Sequence, residues 1–176
     1  MQKMKIPITL DPVRAAQKRS NYDGIIPLKD LARLAEQILG TEGDVVTEVE
    51  CGTDEQGLVY LQGKAEAALQ VTCQRCGEPM TLAASCSFAY TPVKEGADDS
   101  DLVDIPERYD IVERNEFGEI NLRLLIEDEL ILALPLFPMH EAGLCNPEQV
   151  QMSWGEIEPE PEKPNPFAIL QELKKK

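Results

Sequence analysis

The sequence predicts an α+β fold, in which an antiparallel β-sheet of hairpins and a meander is packed by two or three helices. Two runs of alternating apolar and polar residues, 64–72 and 80–90, flank a Cys-x-x-Cys tip and predict the sheet. Apolar residues at helical spacing in 28–39 and 121–134 predict the helices. Because strands that are apolar on one side need cover on that side, we expect both helices on one face of the sheet.

The first part of the chain is predicted to hold a strand and two helices. Residues 5–10 favour a strand, and Asp11 followed by Pro12 is typical of a helix cap and first helical position. A short helix is therefore expected over 12–19. The second helix is the apolar segment that begins after a proline at 27 and ends at a glycine at 40.

The middle of the chain is predicted to complete the sheet. Residues 45–53 and 58–61 alternate as strands do, and a turn at 54–57 joins them. With the Cys-x-x-Cys hairpin they form a meander of three or four strands. Residues 94–107 are expected to be an acidic loop, and 109–114 a strand that returns to the sheet.

The last part of the chain is predicted to change character after the central helix that Asn121 caps. We expect an α+β domain over 1–154, an extended acidic linker rich in proline and glutamate over 155–164, and a C-terminal docking helix over 165–176. A helix of this length is marginal alone in water, so it must dock. The domain's own sheet and a groove on a partner are both open as its site.

Charge is the main guide to the partner. The chain of 176 residues carries a net charge of −15, with acids concentrated in 94–119 and 141–163 and a basic first stretch. This disfavours broad binding to a phosphate backbone, and it favours either a solvated loop or an acidic surface that docks a basic partner. The candidate acidic residues are Asp98, Asp99, Asp101, Glu127, Asp128 and Glu129. The candidate basic contacts with RNA or protein are Arg14, Lys18, Arg19, Arg75, Lys174, Lys175 and Lys176.

The Cys-x-x-Cys tip is the main candidate for metal chemistry, because two thiolates on one turn supply half of a tetrahedral zinc site. The candidate ligands are Cys73, Cys76, Cys145 and His140, with Glu148 as an oxygen alternative. A tip held by hairpin hydrogen bonds without metal is the other interpretation. We expect no bound cofactor, with zinc as the alternative. A thioredoxin-like redox motif is disfavoured because Gly77 and Pro79 argue against the helix that such motifs open.

The cellular compartment is predicted from the cysteines and from the lack of an export pattern in the first residues. The chain has five cysteines, an odd number, and its first ten residues lack a signal peptide's apolar run. We therefore expect a cytoplasmic protein with reduced thiols and no membrane contact. Cys51 and Cys86 lie in strand-like stretches and are expected to be small buried hydrophobes.

Five stretches together carry a resemblance to a known family. They are ITLDPVR (8–14), CQRCGEP (73–79), NEFGEI (115–120), EDELILALP (127–135) and KPNPFA (163–168). From end to end the chain resembles the bacterial YceD proteins, which are large ribosomal RNA subunit accumulation proteins, and gamma-proteobacterial members above all. Other branches of that family carry a second cysteine pair after Gly-Leu, which suggests a four-thiolate site there. This chain has Glu148 in place of the last of those cysteines and Glu141 in place of an earlier one.

The resemblance implies a non-catalytic factor that supports synthesis, processing or stability of large-subunit (23S) ribosomal RNA. Its partners would be large-subunit precursor RNA or a basic ribosomal protein, with no small-molecule substrate. Two alternatives from other classes remain open. One is a metal-dependent nuclease that uses the carboxylates at 127–129, although adjacent helical residues diverge by about 100°. The other is a redox or metal-sensing module built on the Cys-x-x-Cys tip.

Overall fold

The computed structural model describes residues 4–97 and 105–146, with side chains from residue 6 onward. The strands of the described part are β1 Met4–Lys5, β2 Thr9–Leu10, β3 Asn21–Pro27, β4 Asp44–Thr53, β5 Val59–Thr72, β6 Pro79–Lys94, β7 Asp110–Arg114 and β8 Ile120–Asn121. Six of them form one sheet in the order β1-β3-β4-β5-β6-β7, and β2 pairs with β8 in a second, two-stranded sheet. The helices are α1 Pro12–Gln17, α2 Ala32–Ala35 and α3 Leu122–Leu132. The α+β prediction is confirmed.

The centre of the sheet is the predicted antiparallel meander. β3, β4, β5 and β6 pair antiparallel in succession, and β5 and β6 form the hairpin that carries the Cys-x-x-Cys tip. Burial alternates along β4 and β5 as the sequence pattern requires. Neighbouring groups approach the backbone of Gly63 closely, since a Cβ added there would lie 2.5 Å from the Glu48 carbonyl oxygen and 2.7 Å from the Phe88 ring.

The edges of the sheet differ from the prediction because they are parallel. β1 pairs parallel with β3, and β7 pairs parallel with β6 through partners such as Tyr90 and Asp110. The strand expected at 109–114 does return to the sheet, as β7. Its direction depends on the path of the chain between β6 and β7, which a local alternating pattern does not report.

The predicted strand over 5–10 is wrong as a single element. The structure has two short strands there, β1 in the main sheet and β2 in the small one, where Thr9 faces Asn121 and Leu10 faces Ile120. Pro7 lies between them and has no N–H to donate to a continuous ladder. The chain therefore changes sheets at this proline.

The predicted helix over 28–39 is also wrong, and the strand before it, β3, was missed. Leu28–Asp30 is a single 3-10 turn, and α2 spans only Ala32–Ala35. Leu31 between them has φ −109° and ψ 81°, which is outside the helical region. Of the five apolar side chains on the predicted face, Leu28, Leu31 and Leu34 are at most 1% exposed, whereas Ala35 and Ile38 are half-buried. Spacing by three is satisfied by consecutive turns as well as by a helix.

The core lies between one face of the sheet and the helices. α3 confirms the predicted central helix, with the Asn121 side chain accepting a hydrogen bond from the N–H of Leu124, and Ile126 and Leu130 fully buried. α1 begins at its predicted cap, where Asp11 accepts from the N–H of Arg14. The opposite sides of β3–β6 are largely exposed.

Two predictions about single side chains had different outcomes. Cys51 is buried as expected, whereas Cys86 is only half-buried, so its prediction as a fully buried hydrophobe is corrected. No helix in the described ranges combines the length and the apolar character that a membrane crossing requires.

Candidate metal centre

The tip of the β5–β6 hairpin places two thiols side by side. The N–H of Cys73 donates to the carbonyl oxygen of Glu78 at 2.9 Å, and the N–H of Gly77 donates to the carbonyl oxygen of Cys73 at 2.9 Å. Gly77 has φ 75°, a left-handed conformation that a glycine adopts without strain. This turn buries both Cys73 and Cys76 beneath the tip.

The other half of the centre comes from the segment that follows α3. The N–H of Gln74 donates to the carbonyl oxygen of Pro138 at 2.8 Å, which fixes this segment against the tip. A turn then closes with a hydrogen bond from the N–H of Leu144 to the carbonyl oxygen of Glu141 at 3.1 Å. His140 and Cys145, on either side of this turn, are thereby brought to the two hairpin thiols.

The four predicted ligand atoms form one compact cluster. They all lie within 4.8 Å of one another. The sulfur of Cys73 is 3.8 Å from that of Cys145, and Nδ1 of His140 is 3.4 Å from the sulfur of Cys76 and 3.7 Å from that of Cys145. The structure therefore brings together every member of the predicted ligand set.

These distances fit a tetrahedral ion. Zn–S bonds of about 2.3 Å place two sulfurs about 3.8 Å apart, and a Zn–N bond of about 2.0 Å places the nitrogen about 3.5 Å from each sulfur. Three thiolates and an imidazole are also ligand types that zinc accepts. The cluster is compatible with a bound zinc ion.

The surroundings of the two hairpin thiols shift their pKa values in opposite directions. Burial alone would raise the pKa of Cys73, but the N–H groups of His140, Cys76 and Arg75 point at its sulfur and lower the pKa to about 5. The N–H of Glu78 lowers the pKa of Cys76, and burial and the neighbouring sulfurs outweigh it, so that this pKa is raised. Cys73 is therefore held as the thiolate, which is the form that binds metals.

Arg75 has a role at this centre that the sequence did not indicate. Its Nε donates to the sulfur of Cys145 at 3.0 Å, and the other end of the guanidinium donates to the carbonyl oxygens of His140 at 3.1 Å and Glu141 at 3.3 Å. These donors of Arg75 are directed at the chain itself, and its predicted contact with an external partner stays a prediction. The only local signal was its position inside the Cys-x-x-Cys spacing.

The acidic residues of α3 are engaged by three different partners. Glu127 is 6% exposed and accepts from the N–H groups of Arg33 and Leu34 at 2.7 and 3.0 Å. Asp128 pairs with the Arg33 guanidinium, and Glu129 accepts from the Tyr90 hydroxyl. Glu127 is therefore removed from the predicted acidic surface, because its carboxylate holds the start of α2. The three carboxylates do not converge, as their spacing on a helix predicted.

The remaining predicted contacts are scattered or lie outside the described residues. Arg14, Lys18 and Arg19 are exposed on and after α1, and Arg14 pairs with Asp11 at 3.1 Å. The residues outside the described ranges are Asp98, Asp99, Asp101, Glu148, Lys174, Lys175 and Lys176, together with the predicted linker and C-terminal helix.

Comparisons with known proteins agree on one family. The sequence profile of the family described as "Large ribosomal RNA subunit accumulation protein YceD" matches residues 61–174, which include the hairpin tip and all four ligands. A curated protein of that description from Haemophilus influenzae is 43% identical over 177 residues, and the alignment covers the full length of both proteins. No solved structure matches.

Proposed function

The chain belongs to the YceD family of large ribosomal RNA subunit accumulation proteins, and from that premise we propose that it is a non-catalytic cytoplasmic factor that supports large-subunit ribosomal RNA by binding a basic ribosomal protein. The observation that carries the non-catalytic part is the ligand set of the metal centre. A tetrahedral ion bound there would take all four of its ligands from the protein. Such closed sites are structural, whereas catalytic zinc sites keep one position for water or substrate.

Zinc is the ion that we propose for this centre, and its role would be to hold the chain together. It would join the hairpin tip to the segment after α3, which otherwise meet through few backbone hydrogen bonds. Three thiolates and a divalent ion leave one negative charge, and the Arg75 guanidinium beside Cys145 offsets it. The metal-sensing alternative shares this site, but a closed ligand set favours permanent occupancy.

The partner class rests on the open face of the sheet. Carboxylates project from three adjacent strands there, and we name four of them, Asp23, Glu48, Glu50 and Glu66, the acidic sheet face. Asp23, Glu48 and Glu50 line a shallow depression of about 750 Å³. Two cations lie near them: Lys64 pairs with Glu48 at 3.0 Å, and Arg108, which pairs with Asp54 at 2.7 Å, lines the same depression.

Electrostatics favour a protein over RNA at this face. A net charge of −15 repels a phosphate backbone and attracts basic proteins, whose association it would accelerate. The segment with Asp98, Asp99 and Asp101 is proposed to extend the same contact. An RNA contact through Arg14, Lys18 and Arg19 is the competing outcome, since these side chains are exposed.

The test is binding to the proteins extracted from large ribosomal subunits, with bound proteins identified by mass spectrometry. We expect binding that weakens with salt, and that weakens about tenfold in the triple variant Glu48→Gln, Glu50→Gln, Glu66→Gln, because each exposed charge contributes up to about 1 kcal/mol. The control Glu42→Gln, Glu113→Gln, Glu116→Gln removes three charges from exposed sites elsewhere and therefore has the same net charge as the first variant. Equal binding by both variants, or binding to precursor RNA that only Arg14→Gln, Lys18→Gln, Arg19→Gln abolishes, would contradict the proposed partner.

A further inference from the structure

An apolar groove lies beside the metal centre, between the end of α3 and the turns after α2. Its walls are Ile38 and Leu39 on one side and Ile131, Leu134 and Leu136 on the other, above a floor that includes Leu82. Its volume is about 480 Å³. Leu39 is 54% exposed and Leu136 is 91% exposed, so the walls present apolar surface that nothing in the described part of the chain covers.

We propose that the C-terminal segment 166–173 of the same chain occupies this groove as a short amphipathic helix. Phe167, Leu170 and Leu173 are spaced by three, so they would lie on one face of such a helix. A helix of this length is not stable alone in water, and an apolar groove supplies the burial that it lacks. The proposal does not depend on the identity of the partner.

The position at which the described chain ends favours an intramolecular contact. The last described residue, Asn146, follows Cys145, whose sulfur is 3.8 Å from that of Cys73. Gln74, the next residue after Cys73, lines the groove. The connection from 147 to 165 would span about 25 Å as a flexible coil, and somewhat more as a proline-rich one, so it reaches the groove easily. A tether of this kind gives a local concentration in the millimolar range, which a free partner rarely matches.

Charge favours the same occupant. The segment ends in Lys174, Lys175 and Lys176, whereas the chain as a whole carries a net charge of −15 and the rim of the groove includes Glu36. The basic end is therefore attracted to the body of its own protein. A docked segment would cover the apolar surface next to the metal centre.

Photocrosslinking of the purified full-length chain tests this proposal. With p-benzoylphenylalanine at position 170, we expect a crosslink within one chain to 36–39 or 131–136, at a yield that does not change with protein concentration. The same group at position 171 points to another side of the helix and should give a much lower yield. Leu39→Glu with Leu136→Glu, at exposed positions that leave the core intact, should reduce the yield at position 170 at least about tenfold, because the apolar burial of both leucines against the segment is lost.

Three results would overturn it. An unchanged yield in the double variant would place the segment elsewhere. No crosslink within the chain would mean that the segment is not docked. A yield that rises with concentration, as products between chains, would assign the groove to a second copy.

Discussion

Replacing Cys73 with serine is expected to abolish metal binding and to lower the free energy of unfolding by about 4 kcal/mol. That is the stabilisation which a ligand gives when its free concentration is about a thousand times its Kd. The loss follows because Cys73, in the hairpin half of the centre, directly contacts the other half. Its sulfur is 3.8 Å from that of Cys145 and accepts a hydrogen bond from the N–H of His140 at 3.4 Å. Elemental analysis of the purified chain and denaturant unfolding measure the two effects.

The matched control is Cys86→Ser, the same change at a thiol outside the centre. Within the described residues, the Cys86 thiol makes one hydrogen bond, which it donates to the carbonyl oxygen of Ala65 at 3.7 Å. We expect this variant to keep one zinc per chain and nearly full stability. Two results together would show that the cluster is not a metal site. The wild-type chain would purify without metal, and Cys73→Ser and Cys86→Ser would have the same free energy of unfolding.

Replacing Glu127 with alanine is expected to lower the free energy of unfolding by about 2–4 kcal/mol, without changing the metal content. One carboxylate oxygen accepts from the N–H groups of Arg33 and Leu34, and removing it leaves two largely buried donors unpaired. A buried donor left without a partner costs about 1–3 kcal/mol. Denaturant unfolding of the zinc-loaded protein measures the difference.

Two further variants identify the cause. Glu127→Gln keeps an oxygen acceptor and should lose less than half as much stability as Glu127→Ala. Asp128→Asn removes an exposed ion pair with Arg33, and should cost less than about 1 kcal/mol. If Asp128→Asn were as damaging as Glu127→Ala, the stabilisation would lie in the charge of α3 and not in the capping of α2.

The parts of the fold that local spacing specifies were predicted from the sequence. The hairpin followed from alternation on both sides of the tip, and α3 from its cap and apolar stripe. The failures occurred where a distant contact decides. The apolar spacing at 28, 31 and 34 was assigned to one helix, but the structure has only a four-residue helix there. The Glu127 carboxylate caps it by accepting from the N–H groups of Arg33 and Leu34, which are 94 and 93 positions away in the sequence.

The candidate site divides in the same way. The ligand types and the Cys-x-x-Cys spacing identified all four members of the cluster. Their convergence depends on the hydrogen bond between Gln74 and Pro138, 64 residues apart in the sequence, which no local pattern reports. Arg75 was predicted only as a basic contact for an outside partner, and its hydrogen bonds to three acceptors of the chain itself depend on the same long-range convergence.

The measurement that tests the account most directly is sedimentation of cell lysate on a sucrose gradient at low and high salt. The wild-type chain is expected to migrate with large-subunit precursors at low salt and as free protein at high salt. The acidic-sheet-face variant should migrate mostly as free protein at both, while its control of equal net charge migrates as the wild type does. Migration of the wild-type chain only as free protein at both salts would contradict a factor that acts by binding.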